Sequence, residues 1–460
     1  MGRIFGTDGI RGIANTELSC KLAMNAGRAA AMVIAEQIGR KPTILIGKDT
    51  RISSDMLEAA MVAGLTSVGA EVVLGGVLPT PAVSHLIAGA HADGGVMLSA
   101  SHNSYEFNGI KIFGPGGHKL TDAEEFEIEQ IVLDKVKPYT IRWGWELGRI
   151  RTGDNLTETY IDRLVSSVDG DLSGLKIAVD CSNGSAVATA GEAFSRLKAD
   201  VRLMHNKPNG VNINRDCGST HMSGLVERVE AGGYHAGIAF DGDADRCLAV
   251  DETGKLVTGD QIMAIIAMDM KARGVLKENT VVATVMSNLG FVKFCEEQGI
   301  KLVTTKVGDR YVLAEMLRKG YGLGGEQSGH LIQPDVIATG DGQLTAITLL
   351  SILKKSGKKL SELAGRMHIY PQVIVNMQAD PVMKSMLDVD AGAKQIIEDA
   401  KAALGGDGRI LVRASGTEPL IRVMIEGKEK GEITALCDSV VERLKERLSH
   451  NEDCKLLEGF

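Results

Sequence analysis

Three carboxylates at every second position, Asp241, Asp243 and Asp245 in the run DGDADR, carry the sharpest chemical signal. Alternate side chains of an extended loop point the same way, so the three could face one cation. Gly242 and Ala244 between them are small and let the loop curl. Hard oxygen donors suit Mg²⁺ or Ca²⁺ rather than zinc. A plain charged surface loop is the bland alternative, but carboxylates this close repel one another without a cation. An EF-hand has the same D-x-D-x-D spacing, and Glu252 falls at its twelfth position. It is rejected because Arg246 stands where glycine is needed and both flanks read as strands. A second loop, SASHNS, offers Ser99, Ser101 and Ser104 around His102; a serine at a strand end can be an exposed nucleophile or only a turn former. Lys111, ten residues beyond Ser101, could bring a cation to that serine or face solvent. A third loop, GGEQSGH, sets Glu326, Gln327, Ser328 and His330 between glycines, groups that bind sugar hydroxyls; His330 could move protons near neutral pH or be an ordinary surface histidine. Upstream, TTKVGDR adds Lys306, Asp309 and Arg310. A fourth, RASGTEPLIR, combines Arg413, Ser415, Gly416, Thr417 and Arg422, a phosphate cradle if it is more than a hairpin turn. Neither G-x-S-x-G nor G-x-x-x-x-G-K-[ST] occurs, which argues against an esterase elbow and an NTPase.

The elements around these loops repeat. Strand runs ILIGKD, EVVLGG and GVML alternate with helical stretches 53–68 and 80–88; then come SASHN and the return strand NGIKIF. KIAVDC, ADVRLM and AGIAF alternate with helices near 186–197 and 223–231, followed by DGDADR and CLAVDE. TVVATVM, KLVTT and YGLG alternate with helices 290–298 and 308–319, followed by GEQSGH and LIQ. Each copy is β-α-β-α-β, loop, β. This predicts an α/β chain of three consecutive α/β domains with mixed sheets of one repeated topology. Ligands of such sheets lie beyond the carboxyl ends of strands, where all three loops fall, so the loops could converge on a central cleft. After Pro371, strand QVIVNM, helix 390–404, strands RILVR and LIRVMIEG and helix 432–448 read as a smaller C-terminal α+β domain. The expected domains are 1–150, 151–253, 254–367 and 368–460. The segment from Arg142 to Asp154, with Trp143 and Trp145, is expected to run between the first two.

Composition narrows the class. The chain has 460 residues, enough for three or four domains, with 55 glycines and only 10 prolines, which fits many tight turns. Aromatic residues are 4%, too few for a base-stacking platform, and the net charge of −8 is a poor match to nucleic acid or a membrane surface. MGRIFGTDGIRG has no signal-peptide run, and no apolar stretch is long enough to span a membrane. Seven widely spaced cysteines without C-x-x-C suggest reduced thiols and a cytoplasmic location.

In this order SASHN, DGDADR, GGEQSGH and RASGTEPLIR, with the opening FGTDGIRG, resemble the α-D-phosphohexomutase superfamily over essentially the whole chain. GGEQSGH, FGTDGIRG and GVNINRDCGSTH (Gly210 to His221) are most similar to its bacterial phosphoglucosamine mutase branch. Ser104, where proline commonly follows S-H-N, departs from the pattern without touching the nucleophile. The resemblance implies interconversion of glucosamine 6-phosphate and glucosamine 1-phosphate through a phosphoserine enzyme and glucosamine 1,6-bisphosphate. A phosphomannomutase/phosphoglucomutase is the alternative. A phosphomonoesterase would instead release phosphate, and a non-enzymatic phosphosugar binder would not retain Ser101 with all three aspartates. The implied catalytic set is Ser101, His102, Lys111, His330 and Arg11. One Mg²⁺ would be held by Asp241, Asp243, Asp245 and the phosphate on Ser101. Lys306, Asp309, Arg310, Glu326, Ser328 and Arg246 would bind the sugar phosphate, and Arg413, Ser415, Gly416, Thr417 and Arg422 the non-reacting phosphate. The expected partner is a small phosphosugar, with no nucleic acid and no membrane; a homodimer is an open alternative.

Overall fold

The computed structural model describes residues 2–6, 8–415 and 419–449. Its first three sheets repeat one strand order. In the first, the return strand Phe107–Phe113 lies antiparallel to Gly94–Leu98, followed in parallel by Thr43–Lys48 and Glu71–Val77. The second sets Cys247–Asp251 against Ala236–Phe240, then Lys176–Asp180 and Asp200–Met204. The third sets Leu331–Gln333 against Gly324–Gly325, then Thr280–Thr284 and Lys301–Thr305. The sheets are therefore mixed. In every copy the loop singled out by its chemistry connects the last parallel strand to the antiparallel return strand.

Each copy adds edges of its own. Gly9–Ile13 pairs antiparallel with Phe107–Phe113, bringing the TDGIRG segment beside the SASHN loop. Ile150–Thr152, expected within a connecting segment, pairs in parallel with Glu71–Val77 and forms one edge of the first sheet. Helices not read from the sequence include Cys20–Ile38, Gly259–Ala272 and Gly342–Ser356, and the last two are buried over most of their length. Burial all round removes the polar stripe by which a helical period is recognised. Helix Cys20–Ile38 packs on Ile52–Ser67 so closely that a Cβ at Gly64 would lie 2.1 Å from the Met24 carbonyl oxygen, so only glycine fits there.

Packing groups the described chain into two compact bodies. One holds 286 and below together with 298–366, the other 287–297 together with 367 and above. In the second body the antiparallel strands run Gln372–Gln378, Leu420–Glu426, Arg409–Ala414, with Ile421, Val423 and Ile425 meeting Cys437, Val440 and Leu444 of helix Lys430–Ser449. Helix Leu289–Glu297, read from sequence as part of the third repeat, is fastened to this body. The Leu289 amide and the Asn288 side chain donate to Glu426 at 3.1 and 3.0 Å, and Arg409 donates to the Ser287 carbonyl at 2.6 Å.

No helix among the described residues is long and apolar enough to cross a membrane. The six cysteines among them are free thiols; Cys454 lies outside the described residues.

Candidate active site

Ser101 follows strand Gly94–Leu98 by three residues and has a left-handed backbone, φ 51°. Its amide donates to Ser99 Oγ at 3.0 Å, and Ser99 Oγ in turn donates to Asp49 at 2.6 Å. Its own Oγ donates to Asp241 Oδ2 at 2.6 Å. The loops after the first and second sheets thus meet on one hydroxyl. They approach so closely that a Cβ at Gly242 would lie 2.5 Å from the Ser101 carbonyl oxygen.

Asp241, Asp243 and Asp245 are buried, and one oxygen of each lies within 4.8 Å of the others. Ala244 between the last two is left-handed, which curls the loop. Three buried carboxylates cannot all ionise unaided. Burial, and then the charges of Asp245 and Asp243, push Asp241 well above the usual carboxylate range. Asp245 goes the other way: burial opposes its charge, but Lys111, His330 and Arg246 outweigh burial and hold it well below. Asp243 Oδ1 and Asp245 Oδ1 are buried without a hydrogen-bond partner. Orphaned, hard oxygen atoms in a tight group fit a divalent cation, so the group could hold a metal ion.

Lys111 does not face solvent. Its ammonium lies 2.7 Å from Asp243, 2.9 Å from Asp8 and 3.3 Å from Asp245, and these charges overcome burial to raise it well above an ordinary lysine. Asp8 also takes Arg11 at 2.5 Å and Lys119 at 2.6 Å, and Lys119 reaches Asp309 at 2.6 Å. A chain of alternating charges therefore runs from Asp243 through Lys111, Asp8 and Lys119 to Asp309, touching all three repeats. Thr80 Oγ1 donates to Asp243 Oδ2 at 2.5 Å.

The histidines differ. His330 is buried rather than on the surface; its ring sits where any side chain at Gly340 would collide, with a Cβ only 2.2 Å from Nε2. Burial opposes its charge, but Asp245 at 3.6 Å and Asp309 at 3.4 Å raise it to about 9. His102, with Nδ1 3.4 Å from Ser101 Oγ and 3.3 Å from Arg246, is lowered to about 4 by burial and by the Arg246 and Arg11 charges. At neutral pH one imidazole holds its proton and the other offers a lone pair.

Other expected residues scatter more. The Arg246 amide donates to Asp241 at 3.2 Å. Glu326 accepts from the Gly308 amide at 3.1 Å, and Ser328 Oγ is buried without a partner. Arg310 turns from its neighbour Asp309 to Asp122 and Glu125, because consecutive helical side chains diverge by about 100°. Lys306 is exposed at the end of strand Lys301–Thr305. In the second body, Arg413 and Arg422 stand directly opposite on neighbouring strands. Burial and then the Arg422 charge lower Arg413, whose Nε has no partner, while Arg422 Nε donates to Asn376 at 2.9 Å. Two facing guanidiniums favour an anion. The Ser415 amide donates to the Leu420 carbonyl at 2.9 Å; Gly416 and Thr417 lie outside the described residues.

Sequence reasoning passed over Asp8, Thr80, Lys119, Asp49, Arg51 and Asn214. The signal for Arg51 was available: GKDTRIS follows the first strand of the first repeat, a carboxyl end like the others. A second group of metal-type side chains, Asp180, His205 and Cys217, also gathers, and there both oxygens of Asp180 accept backbone amides, from Ser182 and Gly218.

Four family profiles match in succession. They are described as phosphoglucomutase/phosphomannomutase alpha/beta/alpha domains I over 2–138, II over 158–254 and III over 258–370, and the C-terminal domain over 372–443. A phosphoglucosamine mutase of Acetivibrio thermocellus is 50% identical over 448 residues, covering 97% of this chain and 100% of that protein. Among solved structures, a phosphoglucomutase/phosphomannomutase family protein of Burkholderia thailandensis superposes with TM-score 0.79 at 23% identity, over 97% of this chain and 98% of that one. An Aspergillus fumigatus N-acetylphosphoglucosamine mutase, solved with GlcNAc-6P and magnesium, gives TM-score 0.71 at 17% identity, over 96% and 95%. At such identities the two structures speak to the fold.

Proposed function

Since the chain belongs to the phosphoglucomutase/phosphomannomutase family, we propose that it is a phosphoglucosamine mutase interconverting glucosamine 6-phosphate and glucosamine 1-phosphate. The observation that carries the chemistry is the Ser101 hydroxyl on Asp241, inside a buried carboxylate group. Phosphorylated Ser101 gives its phosphoryl group to sugar O1: the bond from phosphorus to Oγ breaks and one to O1 forms, while the O1 hydroxyl gives up its proton and Oγ takes one to become the free serine hydroxyl. The resulting glucosamine 1,6-bisphosphate turns, and its O6 phosphate returns to Ser101. Asp241, Asp243 and Asp245 would hold Mg²⁺, which when bound supplies positive charge against the transferring group.

The remaining roles belong to the chain's own groups. Arg11, Lys111 and Arg246 add cations, and the proposed proton carriers are Lys111 and His330. Both hold their proton at neutral pH, by Asp243, Asp8 and Asp245 around one and Asp245 and Asp309 around the other. His102, neutral beside Ser101 Oγ, completes the catalytic set. Lys306, Asp309, Arg310, Glu326 and Ser328 are assigned to the sugar phosphate, Asp309 and Arg310 on condition that they exchange their present ion pairs for it. We keep domains of 1–150, 151–253, 254–367 and 368–460 as the working division, and a cytoplasmic site of action.

The test is a coupled assay on glucosamine, glucose and mannose phosphates. The highest kcat/KM is expected for glucosamine phosphate. Preference for glucose or mannose phosphate would assign the chain to the phosphomannomutase/phosphoglucomutase branch, and net release of inorganic phosphate would make it a phosphatase.

Arg413 and Arg422, with Ser415, Gly416 and Thr417, are assigned to the phosphate that is not reacting. A charge-assisted hydrogen bond to phosphate contributes roughly 1.5–3 kcal/mol, so Arg422→Ala should lose about one to two decades in kcat/KM. Because one cradle must hold both the 1- and the 6-phosphate, forward and reverse reactions should suffer alike, and free bisphosphate should accumulate. Wild-type rates in both directions would leave the two arginines as a hairpin feature.

A further inference from the structure

Two side chains with no role in the chemistry above converge on the backbone that carries the nucleophile. Arg51 is fully buried, with its Nε on Asp49 at 2.8 Å. Its Nη2 donates to the carbonyls of Ser101 and Asn103 at 3.0 and 2.8 Å, and its Nη1 to those of Ser104 and Phe107. Asn214 comes from the second repeat, within GVNINRDCGSTH. Its Nδ2 donates to the same two carbonyls, Ser101 at 2.8 Å and Asn103 at 2.9 Å. Each carbonyl oxygen has two lone pairs, and here one serves Arg51 and the other Asn214.

The second arm is itself fixed. Asn214 is buried and left-handed, φ 56°, and its amide donates to the Ser182 carbonyl at 2.9 Å. Ser182 and Gly218, on either side of this contact, donate their amides to the two oxygens of Asp180 at 2.8 and 2.9 Å. Ser101, a non-glycine residue, is held left-handed, which needs surroundings that over-determine it. We propose that Asn214 and Arg51 are positioning residues: together they clamp the Ser101 and Asn103 carbonyls, hold Ser101 left-handed, and so aim its Oγ at the carboxylate group of the second repeat. The second repeat then contributes the aim of the nucleophile as well as the carboxylates. This rests on Ser101 being the phosphoryl carrier.

The experiment compares Asn214→Ala, Asn214→Asp and Arg51→Lys with wild type. Enzyme phosphorylated on Ser101 is mixed with glucosamine 6-phosphate, and the single-turnover transfer rate is recorded apart from its amplitude, with the Kd for the sugar phosphate. Losing two neutral hydrogen bonds should slow transfer about 10- to 100-fold in Asn214→Ala while Kd changes less than about twofold. Asn214→Asp, which turns a donor toward two carbonyls into an acceptor, should be slower still, and Arg51→Lys, which keeps the charge without the fork, should fall between wild type and Asn214→Asp. A purely structural role would lower the amplitude and leave the rate constant unchanged in both Asn214 variants; that result overturns the clamp, even if Arg51→Lys does not fold. A second readout is independent of the substrate: amide exchange across residues 99–108 should quicken in Asn214→Ala, and unchanged exchange counts against the clamp. If wild type transfers nothing to any hexose or hexosamine phosphate, the mutase reading fails, and the exchange result still decides the clamp.

Discussion

Ser101→Ala is expected to fold like the wild type and to lose about four to six decades of mutase turnover, the scale seen when a covalent nucleophile is removed. The change takes away one oxygen from a buried site and leaves Asp241 Oδ2 without its donor. An unsatisfied buried acceptor costs about 1–3 kcal/mol, but Asp241 is already driven toward its neutral form by burial and by Asp245 and Asp243, so the loss of stability should sit at the low end. Thermal unfolding and turnover must therefore separate: a small fall in Tm, and a near-total loss of rate. Mass spectrometry of active wild-type protein should find phosphate on Ser101. Ser99 and Ser104 share its peptide and provide the control. The Ser99 hydroxyl is committed to Asp49 and to the Ser101 amide. Phosphate found only on Ser99 or Ser104 would overturn the assignment.

Metal removal should have an effect of similar size. EDTA is expected to abolish turnover, and Mg²⁺ to restore it. Asp243→Asn tests the carboxylates directly. Asp243 has one oxygen engaged by Thr80 and Lys111 and the other buried without a partner. The amide keeps the shape and removes the charge, so Mg²⁺ affinity measured by calorimetry should fall together with kcat. Interactions aimed at developing charge are commonly worth about 10²–10³ in kcat, and that is the loss expected here. The paired readout matters because Asp243 also neutralises Lys111. Weakened turnover with unchanged Mg²⁺ affinity would place the carboxylate in the ion-pair chain alone, and full wild-type activity in rigorously metal-free buffer would remove the metal from the mechanism.

The amino-acid sequence by itself determined what depends on short-range pattern. The repeated β-α-β-α-β, loop, β unit was legible because strand and helix periods are local, and each polar loop interrupts them at the same place. The 241, 243, 245 spacing was legible for the same reason: alternation along an extended loop is a property of a few residues. What Lys111 faces was not legible, since Asp8, Asp243 and Asp245 are 103 to 134 residues away; Asp8 meets it when Gly9–Ile13 pairs with Phe107–Phe113, and Asp243 and Asp245 only when the first two sheets pack. The loop around His330 left a proton carrier and a surface histidine both open, because nothing near it in the chain says that Gly340 makes room for its ring. Arg310 shares a motif with Asp309 yet pairs elsewhere, because a helix turns its neighbours apart. Arg51 and Asn214, 163 positions apart by number, come together on two carbonyls that no local period marks. Burial sets the dielectric around a charge and packing chooses its partners, and both are decided by contacts between distant segments. The residue types and their spacing state which chemistry is available, and the tertiary structure decides which proton, which charge and which backbone geometry each residue brings to it.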